Sequence, residues 1–228
     1  MSKLPRPSKA LAAMELVNSS RPQLLDYVTS QVDHFFPDHI RDARDMIGAD
    51  LDEALDRVKR CINGVAMWRE NAFDYLHSSQ YCTFLYYLAN TIWRNREHEN
   101  VATKLFYLNK ALHGFECFYA TDLPEIFFIG HSVGIVLVRT TYGNRFAIYQ
   151  NCTVGQSKGA RPEIGERVLM FPNSTILGAT KVADGTVIAQ GAQLIDRDSR
   201  RGSIVFGRGK DVSFGTPKVD LLADIFRD

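Results

Sequence analysis

From residue 162 to residue 197 the chain divides into six consecutive six-residue words: PEIGER, VLMFPN, STILGA, TKVADG, TVIAQG and AQLIDR. The third residue of each word is a large aliphatic: Ile164, Met170, Ile176, Val182, Ile188 and Leu194. The first residue is mostly small: Pro162, Val168, Ser174, Thr180, Thr186 and Ala192. A period of six suits neither the 3.6 of an α-helix nor the 2 of a simple strand. It predicts a parallel β-helix with triangular coils, three words to a turn, one aliphatic per word filling the interior and the small residue at the corner. The period also runs backwards through Val154, Ile148, Tyr142 and Val136. Between Val154 and Ile164 the step is ten, so four extra residues are inserted. The segment Gly155 to Arg161 is glycine-rich and basic and is expected to leave the coil as an external loop, the kind of insertion that marks a functional face in a solenoid.

Upstream of residue 120 the pattern is helical. Residues 1–22 are punctuated by Pro and Ser and read as irregular, with one short helix around residues 9–17. Helices are expected over residues 24–36, where Leu24, Leu25, Val28 and Val32 share a face and Pro37 is the stop, then over 38–47, 50–63, 80–94 and 99–113, the last ended by Gly114. The 80–94 segment is apolar enough to be largely buried. The expected organisation is therefore α+β: an all-helical domain over 1–118, a parallel β-helix over 119–208 and a tail over 209–228.

Composition narrows the function. With 27 Lys+Arg against 26 Asp+Glu, the net charge of +1 gives no basic field for nucleic acid or an anionic membrane. No apolar run reaches a membrane span and no signal peptide is read, so a cytoplasmic location is expected, without membrane insertion. Cys61, Cys82, Cys117 and Cys152 form no CxxC pair and read as reduced, buried thiols. The six histidines show no metal-ligand spacing, so no metal site is expected.

Three segments carry a resemblance. His131-Ser-Val-Gly-Ile-Val, Tyr149-Gln-Asn-Cys-Thr-Val-Gly155 and Arg161-Pro-Glu-Ile-Gly165 follow one another in the order and spacing of the serine acetyltransferase family. That family places a helical domain before a β-helix of hexapeptide repeats, and the resemblance, which covers roughly residues 80–207, implies that the coil is left-handed. It also implies O-acetyl transfer from acetyl-CoA as co-substrate. Such chemistry needs a base to take the acceptor's proton as its oxygen attacks the thioester, and a carboxylate to orient that base. His131 falls on the family's catalytic histidine. Asp122 falls near its aspartate partner, with the intervening stretch one hexad shorter, and Glu125 is the substitute or an acceptor contact. Lys158 in the inserted loop suits CoA phosphates, as Arg208 suits the nucleotide end. Gly155 and Ala189 would allow the pantetheine arm to approach the coil. Assembly as a homotrimer, or a multiple of one, follows from the same resemblance.

Two positions depart from the family. Gly130 stands where the family has Asp, and Arg161 stands where it has His. Both family residues hold the amino-acid acceptor, so their loss leads to the expectation of another acceptor: a sugar hydroxyl of a surface polysaccharide or its precursor, with Arg161 donating to the saccharide. The alternatives are serine O-acetylation in cysteine biosynthesis and a non-catalytic hexapeptide scaffold. The terminal Phe226-Arg227-Asp228 lacks the final Ile through which family members dock to the sulfhydrylase.

Overall fold

The computed structural model describes residues 14–38 and 43–227. The short helix read around residues 9–17 falls mostly outside them. Its described end instead forms β1 (Glu15–Leu16). Helix α1 (Arg21–Phe35) starts earlier than its apolar face indicates, because Gln23 accepts from the Ser20 backbone N–H and hydroxyl, both at 2.9 Å, and Pro22 suits the first turn. The two helices read over 38–47 and 50–63 are one, α2 (Ala43–Gly64), and residues 39–42 lie outside the described set. Gly48 does not break it: a glycine costs only ~1 kcal/mol in a helix, and Leu25 packs on the space beside it. Ile47, Leu51, Leu55, Val58 and Ile62 then make one continuous buried stripe. Next, β2 (Ala72–Phe73) pairs in parallel with β1. Helix α3 (Ser78–Arg96) is buried at every position from Ser79 to Ile92, as its composition requires. It lies between α2 and α4 (Glu99–His113), which Gly114 caps at φ 62°.

The solenoid follows at once, in chain order β3 (Phe115–Cys117), β4 (Phe127–Gly130), β5 (Ile135–Leu137), β6 (Phe146–Tyr149), β7 (Thr153–Gly155), β8 (Glu163–Ile164), β9 (Leu169–Met170), β10 (Thr175–Leu177), β11 (Lys181–Val182), β12 (Val187–Ile188), β13 (Gln193–Ile195), β14 (Ile204–Phe206) and β15 (Ser213–Gly215). They stack in parallel into three faces: β4-β6-β9-β12-β14, β3-β5-β7-β10-β13, and β8-β11 extended by the Tyr142–Ile164 bridge. Only β15 runs antiparallel, closing the last coil against β14. The predicted interior row Ile164, Met170, Ile176, Val182, Ile188 and Leu194 is no more than 3% exposed. The corner residues are buried too, and their hydroxyls are satisfied locally. Thr180 Oγ1 donates to the Leu177 carbonyl at 2.7 Å and Thr186 Oγ1 to that of Ala183 at 2.6 Å. A small hydroxyl residue thus turns the chain and satisfies a carbonyl at the same corner.

The backward extension of the period holds for Val154, Ile148 and Tyr142 but slips at Val136. Leu137, not Val136, pairs with Val154, and Val136 is 37% exposed. One residue is missing between Leu137 and Tyr142, and because strand side chains alternate, a one-residue offset turns Val136 outward.

Residues 217–227 fold back across the β4-β6-β9-β12 face. Residues 217–222 lie beside Arg167, Gly185 and Val187 at the start of β9 and β12. Leu222, Ile225 and Phe226 are buried there, and Phe226 bridges to Val65 beyond α2.

Candidate active site

His131 lies at the corner between the β4 face and the β5 face. Residues with positive φ mark this corner in each coil: His131 (52°), Asn151 (56°), Asn173 (62°), Gly191 (70°) and Gly207 (77°). Asn and Gly are the ordinary occupants of left-handed backbone, so a histidine in that column points to a role for its exposed ring. The loop carrying it is held from both sides. Ser132 Oγ donates to the His113 carbonyl at 2.9 Å, and the Gly134 N–H donates to the Gly114 carbonyl at 3.0 Å. The end of α4 is therefore the anchor of the His131 loop. Gly134 needs to be glycine, since its φ is 76° and a Cβ would lie 2.4 Å from Asn151 Oδ1.

Beside His131 runs a row of outward positions on successive strands: Gly130, Tyr149, Phe171 and Ala189. Tyr149 and Phe171 stack at 6.0 Å with planes 9° apart, and the His131 ring is 6.4 Å from that of Tyr149. Partial burial raises the Tyr149 pKa, which keeps the phenol neutral. Along the same edge, Ala189, Gly191 and Gly207 leave the backbone bare. Arg208 closes it, with a guanidinium nitrogen 4.0 Å from where a Gly191 Cβ would stand. From His131 to Gly207 is four coil steps of ~4.8 Å, an edge about 19 Å long.

The other expected site residues are elsewhere. Asp122 Oδ1 accepts from Asn90 Nδ2 on α3 at 3.4 Å, and Glu125 pairs with Arg60 on α2 at 2.7 Å. Among the described residues neither is joined to His131 by a hydrogen bond or ion pair. The inserted loop forms a tight reversal in which Ser157 and Ala160 pair and Lys158 and Gly159 take φ 49° and 81°, the left-handed pair of a two-residue hairpin. Arg161 donates to Gln156 Oε1 at 3.1 Å and to the Arg139 carbonyl at 3.2 Å. Gly155 is explained by packing, as a Cβ there would meet Leu177 at 2.5 Å. The Tyr149–Phe171 pair is not among the residues expected from the sequence. The signal was the residue directly after the interior aliphatic in two successive coils.

No protein-family model matches the chain. A serine acetyltransferase of Staphylococcus epidermidis is 33% identical over 100 residues, 42% of this chain and 46% of that protein. A serine acetyltransferase of Helicobacter pylori is 29% identical over 137 residues, 58% of this chain and 79% of that protein. The matched stretch thus spans about half the length of the first relative. Among solved structures, a Brucella abortus serine acetyltransferase in complex with coenzyme A superposes with a TM-score of 0.59 at 16% identity, covering 85% of this chain and 82% of that one. These matches overturn the expectation of a sugar acceptor, since the named relatives are serine acetyltransferases. The two departures on which that expectation rested have causes in packing. A Cβ at Gly130 would lie 2.6 Å from the Tyr149 ring, and Arg161 is engaged in bracing its own loop. In sequence and in the order of helical region and hexapeptide solenoid, the chain is serine acetyltransferase-like.

Proposed function

We propose that the chain is an acetyl-CoA-dependent O-acetyltransferase whose acceptor is serine, with His131 as general base. The observation that carries this reading is an exposed histidine, in left-handed backbone, at the head of a bare coil edge that ends in Arg208. The edge suits a long thin co-substrate: the stripped positions Ala189, Gly191 and Gly207 admit the pantetheine arm, and Arg208 suits the phosphates. Acetyl-CoA supplies the thioester. An imidazole nitrogen of His131 takes the hydroxyl proton as the serine oxygen bonds to the thioester carbonyl carbon. The C–S bond then breaks and the proton passes to the departing thiolate. Lys158 and Arg161 lie on a different corner from His131, and neither Asp122 nor Glu125 orients it. This supports a site completed by a second copy in a homotrimer, with the outward residues Val136, Leu177 and Ile195 in the contact.

The test is thiol release from acetyl-CoA with L-serine, together with the solution mass. Turnover with serine is expected, at a mass of three chains or a multiple. His131→Ala is expected to lower kcat by ~10²–10⁴-fold without changing the melting temperature. Undiminished turnover in His131→Ala removes the residue from the mechanism, and no turnover with serine removes the acceptor.

A further inference from the structure

At the far end of β4 from His131, where α2 and α3 meet residues 123–125, three guanidiniums line one cavity of about 220 Å3: Arg57, Arg60 and Arg94. Arg57 is half-buried and held in place. It donates to Thr91 Oγ1 and to Asn90 Oδ1, both at 2.7 Å, and its guanidinium lies over the Tyr87 ring at 4.6 Å. Arg60 is paired with Glu125. Arg94 has no hydrogen bond or ion pair among the described residues. The lining therefore carries three positive charges against one negative. Burial lowers the Arg57 pKa, and the nearby Arg94 charge adds to this against the opposing effects of Tyr86, Tyr87 and Glu53. A buried-edge fork fixed by two hydrogen bonds and an aromatic face is the preorganised form of arginine that recognises oxyanions. The cavity has room for several waters of ~30 Å3 each, hence for one small anion. None of the three arginines lies on the His131 edge.

We propose that this cavity binds a small phosphate-bearing anion, with Arg57 as the fixed fork and Arg94 as the second donor. The site is independent of the acetyl-transfer reading, since its residues take no part in that chemistry.

The experiment is a calorimetric titration of the full chain with inorganic pyrophosphate in a phosphate-free buffer, at low and at high salt. One site per chain is expected, weakened by salt. Arg94→Gln is expected to weaken it about tenfold or more, the worth of a charge-assisted hydrogen bond. Arg94→Lys should retain part of the affinity. The melting temperature without anion should not change in either variant, because Arg94 is exposed and unbonded. Absence of binding at millimolar pyrophosphate overturns the proposal. So does equal affinity in Arg94→Gln, which would put the anion elsewhere, such as beside Arg208. Citrate binding as tightly as pyrophosphate would overturn the phosphate assignment. Acetyl transfer to serine, measured on the same variants, is expected to be unchanged, so failure of one reading does not carry over to the other.

Discussion

Tyr149 and Gly130 depend on each other. They are neighbours on adjacent strands, and the Tyr149 ring lies over the space that a side chain at residue 130 would enter, 2.6 Å from its Cβ. Restoring the family's aspartate is therefore expected to harm this chain. Gly130→Asp should lose ~1–3 kcal/mol of stability, the usual cost of overpacking. Combining it with Tyr149→Ala should recover part of that loss. Chemical denaturation of the two single variants and the double variant measures the coupling, and additive losses would refute the steric account. His131 is different in kind. Its left-handed backbone is set by the corner column, so its position belongs to the coil while its chemistry belongs to its ring.

The element that positions His131 is α4. Its last residue, His113, is buried, its ring joined to Asn109 Oδ1 at 2.8 Å while its carbonyl holds Ser132. Burial lowers the His113 pKa to about 4, against 6.5 for a free imidazole. Between those values the unfolded chain binds a proton that the folded chain does not, so stability rises with pH across that window. The contribution is fully present above pH 6.5 and is lost as pH falls towards 4, by on the order of 3 kcal/mol. Carboxylates titrate nearby, so the measurement is a comparison: denaturation from pH 7 to pH 4, with His113→Gln beside the parent chain. The variant is expected to lose stability less steeply below pH 6.5. Parallel curves would show that the His113 ring is not neutral and buried in solution. Among the solenoid's elements the corner threonines do the equivalent work, since each closes its turn with its own hydroxyl.

At the scale of the molecule, the returning tail ties the helical region to the solenoid. Arg227 donates to the carbonyls of Ile62, Asn63 and Val65 at 3.2, 3.2 and 2.6 Å and to that of Trp68 at 2.5 Å, with Glu70 as its ion partner at 3.3 Å. Arg145 on the solenoid donates to the Arg227 carbonyl, and Arg167 pairs with Asp220 at 2.7 Å. The Ile62 and Val65 carbonyls also accept from the backbone N–H groups of Val65 and Trp68, so the arginine is the side-chain donor that the Asn63 and Trp68 carbonyls depend on. Arg227→Ala is expected to cost about 2–4 kcal/mol, more than an exposed ion pair would, because it strands the Asn63 and Trp68 carbonyls. Thermal melts measure this, and a loss below ~0.5 kcal/mol would mean that solvent replaces the clamp. The tail's last described residues, Phe226 and Arg227, are engaged within the chain itself.

The period of six determined by itself that residues 162–197 wind into a three-sided coil, because the interior admits one aliphatic side chain per face and the corners admit only compact ones. The 3.6 period did the same for α3 and α4, and His131 was singled out through the resemblance of its segment to the serine acetyltransferase family. Other features were settled only by tertiary contacts. α2 runs through Gly48 because Leu25 packs on it. Val136 faces outward because a single missing residue shifts the strand. Gly130 is glycine because a ring from the next coil lies over it, a contact between residues 19 apart in sequence. Asp122 and Glu125 were expected beside His131 from the family resemblance, whereas Asn90 on α3 bonds Asp122 and Arg60 on α2 pairs with Glu125. The arginine cavity and the Arg227 clamp had no sequence signature, since each gathers charges from segments far apart in the chain. A repeat constrains neighbours through geometry that recurs, whereas charge pairing and close approach depend on which surfaces the fold brings together.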